Sequence, residues 1–227
     1  MSLNLDEYSQ ACIQYLKQLD SNACMLDLGA AYGIASSSAL REKKELKVYS
    51  NDLEPKHLDE LYRTTSDLNR KKLHLLPGNF LHLQLPSNFF DAILVSRVLH
   101  FFSPEEIIQA LKLIHTWLKK EGKLFIITGT PYLKDWMSFA PIFEDRKRQS
   151  HPWPGFIDNP TQYRSSTSRT TPSKAHFFDP DTLTQLLENY GFVVEKCGYI
   201  SRDDFPEDIR NDGREGVGCI ASILHGI

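Results

Sequence analysis

Cysteine is scarce in this chain, four in 227 residues, and Cys12, Cys24, Cys197 and Cys219 form no C-x-x-C pair, which excludes a disulfide scaffold and a thiolate zinc site and leaves no metal expected. Asp6 and Glu7 stand where an export signal would need basic residues followed by an apolar run, so buried, reduced thiols in a cytoplasmic protein are expected. No apolar run reaches the ~18 residues of a membrane span. The longest, 89–102, is broken by Asp91, Arg97 and His100. An excess of one charge is also missing: 26 basic against 29 acidic residues leave −3, without the electrostatic footprint of a dedicated nucleic-acid binder. There is no G-x-G-x-x-G and no G-x-x-x-x-G-K-[ST], and none of the nine tyrosines has a lysine four residues on. Fingerprints of nicotinamide and phosphate binders are therefore absent.

What the chain does have is alternation. Strand-length apolar runs at 24–28, 46–50, 73–76, 92–96, 123–128, 192–197 and 219–224 are separated by stretches of helical period, the signature of βαβ units in an α/β fold whose largely parallel sheet is covered on both faces. Ser103-Pro104-Glu105-Glu106 is a capping box with proline at the first helical position, leading into Ile107, Ile108, Leu111 and Ile114. Asp179-Pro180 starts a second helix, with the stripe Leu183, Leu186, Leu187 and Tyr190 stopping at Gly191. The link at 203–216 is a polar, Gly-containing loop with no room for a helix, so the last two strands are expected as an antiparallel pair. With 41% hydrophobic residues the whole chain, 1–227, reads as one domain with a full core.

The segment 131–178 stands apart. It holds six of the twelve prolines, two of the three tryptophans, and seven basic against four acidic residues, a charge of +3 beside −6 for the remainder. A connection of this length is expected to be functional, and Trp136, Phe139, Trp153 and Phe156 are the wrong composition for a disordered loop. A substrate lid is expected, with Arg164, Arg169 and Lys174 available to an acidic group.

The first strand runs Met25-Leu26-Asp27-Leu28 into Gly29-Ala30-Ala31-Tyr32-Gly33 and then a helix. Glycine there permits a tight turn and close ligand approach at a helix N-terminus, and Asp27, expected to project into the turn, suits a cationic amino or sulfonium group better than a phosphate. After the second strand comes Asn51-Asp52-Leu53-Glu54-Pro55, then Gly78-Asn79-Phe80 after the third, Phe90-Asp91 entering the fourth, Ser96-Arg97-Val98-Leu99-His100-Phe101 after it, and Glu121-Gly122 entering the fifth. In this order and spacing, 23–128 resembles the class I S-adenosylmethionine-dependent methyltransferases, with Ala31 where that family usually has a middle glycine. The resemblance implies a three-layer Rossmann-like sandwich with a seven-stranded, mostly parallel sheet. It also implies S-adenosyl-L-methionine as cofactor, held by Asp27, Gly29, Ala30, Gly33, Asp52, Leu53, Asn79, Phe80 and Ser96, with Asp52 on both ribose hydroxyls and Asn79 and Phe80 at the adenine.

Absent motifs narrow the chemistry. Ser96-Arg97 stands where metal-assisted enzymes need acidic ligands, and neither an N-P-P-[YF] motif nor a paired-glutamate loop occurs. The expectation is metal-independent methylation of a small molecule, at a hydroxyl first and otherwise at an amine, carboxylate or carbon. The alternatives are a silent cofactor-binding partner subunit or an enzyme acting on RNA or protein. Phe101, Trp136, Phe139 and Trp153 are the expected substrate pocket, with Phe102 beside them, and His100 and His176 are the candidate bases.

Overall fold

The computed structural model describes residues 5–19, 22–163, 172–203 and 205–223. Helices and strands follow as α1 (Glu7–Gln18), β1 (Ala23–Leu28), α2 (Ile34–Glu42), β2 (Leu46–Asp52), α3 (Pro55–Thr64), the single turn α4 (Asp67–Arg70), β3 (Leu73–Pro77), β4 (Phe90–Ser96), α5 (Pro104–Trp117) and β5 (Leu118–Gly129). The segment 131–178 adds α6 (Ala140–Arg148) and two short strands, β6 (Phe156–Ile157) and β7 (Ala175–His176), which pair with each other. The chain then forms α7 (Pro180–Asn189), β8 (Phe192–Ile200) and β9 (Gly216–Ile223).

The main sheet has the order β3-β2-β1-β4-β5-β9-β8, parallel except for β9, which runs antiparallel between β5 and β8. This is the Rossmann-like arrangement the motifs imply. One apolar cluster joins the sheet to α5 and α7 through Leu111, Ile114, Leu183 and Leu187, and a second, on the other face, joins it to α1, α2 and α3 through Ile13, Leu16, Leu40 and Leu61. Each such side chain contributes ~1.5–3 kcal/mol on burial. The capping box at Ser103 and the Asp179 cap form as the sequence predicts, and the latter proves to be a second capping box. Ser103 and Glu106 close α5 reciprocally, Asp179 and Thr182 close α7, and Gly191, at φ 84°, ends α7.

Several boundaries differ from the sequence reading. β2 continues through Asp52, so this carboxylate ends the strand rather than following it. β5 begins at Leu118 because Leu118 pairs with Phe90 before a register shift, and the Glu121-Gly122 turn lies inside it. β8 extends to Ile200 and β9 starts at Gly216, while Leu224 lies outside the described residues. α1, unread in the sequence, forms because Asp6 accepts the Tyr8 and Ser9 N–H groups and Tyr8, Cys12, Ile13 and Leu16 share a buried stripe. Among the described residues no helix is long and apolar enough to cross a membrane.

Candidate functional site

The order of strands reverses between β1 and β4, and at this switch point the carboxyl ends of the strands open into a crevice. Its floor is the glycine loop. Gly29 sits at φ 70°, and a Cβ there would meet Val98 Cγ2 at 2.2 Å, so the turn after β1 packs directly on the segment after β4. A Cβ on Gly33, at φ 69°, would strike the Leu61 side chain at 2.4 Å, which couples the start of α2 to α3. Ala31 takes the left-handed region at φ 47°, a conformation that costs a non-glycine residue ~1–2 kcal/mol.

Asp27 does not project into the turn as the sequence reading has it. It is 2% exposed, accepts the Ser36 Oγ–H at 2.6 Å and the Ser36 backbone N–H, and thereby caps α2, whose Gly33 N-cap has no side chain to do so. Burial raises its carboxyl from 3.8 to about 6 against the opposing hydrogen bonds from Ser36. Ser36 Oγ and Ser50 Oγ, 2.7 Å apart, extend the link to β2.

Asp52, by contrast, stands at the crevice. Its Oδ2 accepts the Ala31 N–H at 2.7 Å, and its Oδ1 accepts the Glu54 N–H at 2.9 Å and lies 3.0 Å from His57 Nδ1. The loop after β1 is therefore tied to the end of β2. Leu53 beside it is 74% exposed, and Tyr32 packs its ring 4.5 Å from that of His57. Asn51 donates through Nδ2 to the carbonyls of Leu76 and Gly78, at 2.7 and 2.8 Å, and so places Asn79. Asn79 Oδ1 accepts the Leu81 N–H at 3.0 Å, while Phe80 is buried and packs on Phe102. Ser96 ends β4, and the next residue, Arg97, takes φ 62° with its N–H donating to the Ile127 carbonyl at 2.7 Å.

Beyond Arg97 the same segment becomes one wall of a cavity of about 300 Å³, lined there by Arg97, His100 and Phe101. The 131–178 segment covers it with Leu133, Trp136 and Phe177, and Arg202 and Glu215 close the side next to β8 and β9. His100 Nδ1 and Thr128 Oγ1, both in this lining, are buried without a hydrogen-bond partner among the described residues. Such orphaned groups are expensive unless a ligand meets them. Burial first, and the Arg97 charge second, push His100 down to about 4, so its ring is neutral near pH 7.

Only part of the expected pocket assembles. Phe101 and Trp136 line the cavity, but Phe139 is fully buried in the core of the insertion, packed with Tyr132, Phe143 and Ile157 and sharing that core with the cavity-lining Trp136 and Phe177. Trp153 packs at the opposite side, its ring 5.3 Å from that of His176. His176 is 1% exposed, stacks on Phe178 at 4.7 Å, and has Nδ1 3.2 Å from the Phe102 carbonyl. It lines a different groove with Trp153, and burial lowers it to about 4. Lys174, which the sequence left available to an acidic group, pairs with Glu106 in the α5 capping box. Arg164 and Arg169 lie outside the described residues.

Residues 26–126 match the family model described as a methyltransferase domain. That match covers 101 of the 227 residues, within the stretch 23–128 that resembles the class I S-adenosylmethionine-dependent methyltransferases. Among curated proteins, 106 residues are 29% identical to polyketide synthase PksL of Bacillus subtilis, covering 47% of this chain and only 2% of that protein. The fold is similar to a SAM-dependent methyltransferase of Aquifex aeolicus, with TM-score 0.60, 16% identity, and 97% of this chain and 91% of that one covered. It is similar also to 1,6-didemethyltoxoflavin-N1-methyltransferase of Burkholderia thailandensis, solved with 1,6-didemethyltoxoflavin and S-adenosylhomocysteine, at TM-score 0.63, 17% identity, and 97% and 80% coverage. A third likeness is to a complex of the Haloferax volcanii Trm112 methyltransferase activator with a methyltransferase, at TM-score 0.64, 16% identity, and 97% and 90% coverage.

The crevice fits the nucleoside of the S-adenosylmethionine that the resemblance implies. A turn too tight for a side chain at Gly29, a carboxylate at the end of β2 and an exposed apolar residue next to it make a cradle for a nucleoside. Among the described residues no three His, Cys, Asp or Glu side chains converge as metal ligands. Sequence reasoning missed Asn51, Ser36, Thr128, Arg202 and Glu215. Asn51 was legible as the residue before Asp52. The last two were not, because only the long return from β8 to β9 brings them to the cavity.

Proposed function

We propose that this chain transfers the methyl group of S-adenosylmethionine to an oxygen of a small molecule held in the cavity beside the crevice. The observation that carries the reading is continuity: residues 96–101 run from the crevice, where Val98 packs on the Gly29 turn, into the cavity wall at Arg97, His100 and Phe101. Asp52 is the ribose residue, with Oδ2 offering a lone pair, and a grip on both hydroxyls requires His57 to move off Oδ1. Leu53, Asn79 and Phe80 border the adenine, and Gly29, Ala30, Gly33 and Ser96 leave room for the aminoacyl end, with Asp27 acting from beneath by capping α2. The bound cofactor supplies a methyl carbon made electrophilic by a positive sulfur, so the protein's work is alignment and exclusion of water.

Trp136, Leu133 and Phe177 make 131–178 a lid over the cavity. His100 Nδ1 meets the acceptor hydroxyl. Held neutral, the ring has the form that accepts a proton, although one lowered to about 4 is a weak base that orients more than it abstracts. His176, turned into the packing between Phe178 and Trp153, is a structural residue. Reduced thiols at all four cysteines accord with a cytoplasmic enzyme. The test is calorimetry with S-adenosylmethionine on the wild type and on Asp52→Ala. Loss of charged hydrogen bonds should cost ~1.5–3 kcal/mol, about 10- to 150-fold in affinity, and an unchanged Kd would reject the ribose assignment.

A further inference from the structure

The last two strands carry chemistry that the crevice and the cavity do not use. β8 stands at the end of the sheet order, and its antiparallel register with β9 sets Cys197 directly opposite Cys219. Directly opposed residues of an antiparallel pair have Cα atoms ~4.5–5.5 Å apart, inside the ~4.4–6.8 Å that a disulfide spans, and their side chains share one face. The next pair along is Gly198 with Gly218, and a Cβ on Gly218 would strike the Tyr8 ring at 2.1 Å, so α1 fixes this register from the other face of the sheet. Both thiols are free. Cys219 is 1% exposed, whereas Cys197 is only partly buried, with Sγ donating to the Pro180 carbonyl at 3.6 Å. A hydrogen bond from the Cys219 thiol holds Cys197 below the usual thiol range against the opposing effect of burial, with a further bond from Thr184, while the same contact and burial push Cys219 up. Cys12 and Cys24 are raised by burial. The thiol that ionises most readily is thus accessible and has a second thiol directly across the strand.

We propose that Cys197 and Cys219 are a reversible oxidation site, in which a peroxide oxidises Cys197 and Cys219 closes a cross-strand disulfide. The Cys197 thiolate attacks the O–O bond of hydrogen peroxide, forming a sulfenic acid as the first water leaves. The Cys219 sulfur then attacks the sulfenic sulfur, the S–S bond forms and the second water leaves, so two thiols supply the two electrons and two protons that reduce one peroxide. A thiol reductant opens the bond by exchange. The bond fastens β8 to β9 beside the return that brings Arg202 and Glu215 to the cavity wall. The experiment treats the reduced full chain with hydrogen peroxide, alkylates the remaining thiols and maps peptides by mass spectrometry without reduction. A linked Cys197–Cys219 peptide pair, two hydrogens lighter than its reduced form, should appear before Cys12 or Cys24 loses its thiol, and dithiothreitol should restore both thiols. Cys219→Ser should stop at a Cys197 sulfenic acid that dimedone traps, and Cys197→Ser should leave Cys219 unmodified. Cys219 is buried, so the wild-type peptide map and Cys197→Ser carry the test if Cys219→Ser does not fold. Earlier reaction at Cys12 or Cys24, links between chains only, or a Cys197 sulfinic acid beside a free Cys219 overturns the proposal. The urea midpoint of the linked chain should rise, because the bond closes a loop in the unfolded chain. A fall would show that the strands must distort to make the bond, and overturns it equally.

Discussion

The crevice at the ends of β1 and β2 and the cavity under the 131–178 segment adjoin each other, yet they are built differently. The crevice is made by short-range chemistry: Asp52 ends β2, Gly29 and Gly33 lie in the turn after β1 and Asn79 in the turn after β3, and the carboxylate and amide oxygens of Asp52 and Asn79 accept from backbone groups nearby in the fold. The cavity is assembled from distant parts of the chain, the end of β4, the insertion and the β8–β9 link. A local motif can specify the first, whereas the second exists only after the sheet has closed. The lesson is that a crevice can be framed by a handful of turns, while a cavity beside it depends on segments whose positions are set by the whole fold.

The comparison breaks most sharply in the core of the insertion. Phe143 is fully buried among Tyr132, Phe139 and Ile157, so Phe143→Ala should cost ~3–5 kcal/mol locally and speed protease cleavage within 131–178. Cofactor affinity should change less than about twofold, within the ordinary additivity of distant sites. A parallel loss of cofactor affinity would show that the two regions are one cooperative unit.

The buried ionisable groups sharpen it next, because they respond to pH with opposite signs. Asp27, raised to about 6, contributes stability that is fully present below 3.8 and lost as pH rises through 6. Relative to the wild type, Asp27→Asn should therefore gain up to about 3 kcal/mol between pH 4 and pH 7, read from urea midpoints at each pH. His176, lowered to about 4, contributes stability present above 6.5 and lost as pH falls toward 4, so His176→Phe should lessen acid destabilisation. A pH-independent difference for either variant would contradict its assigned burial.

The smallest effect tests the glycine loop. Ala31→Gly relieves a left-handed alanine at φ 47°, and after the added freedom of the unfolded chain should raise stability by ~0.5–1 kcal/mol. A thermal midpoint that falls instead would mean that the Ala31 methyl packs usefully.

Most of the sheet was readable from the sequence because buried parallel strands appear as apolar runs and because the capping residues of α5 and α7 are local signals. The crevice was readable for the same reason, except that Asp27 was placed in the turn when its carboxylate caps α2 from below. The cavity was half legible: His100, Phe101 and Trp136 belong to it, but Phe139 and Trp153 face other partners. Aromatic composition indicates that a segment has a core without saying which rings fill it and which line a cavity. Arg202 and Glu215 carried no signal, since they sit in a polar loop whose return path only the β8–β9 pairing determines.

The central claim is that crevice and cavity form one reaction site, and a crystal structure with S-adenosylhomocysteine tests it most directly. The nucleoside should lie against Asp52 and Leu53, with the sulfur opening onto the cavity between Arg97, His100 and Trp136. A nucleoside bound elsewhere, or a sulfur separated from that cavity by protein, would contradict the account.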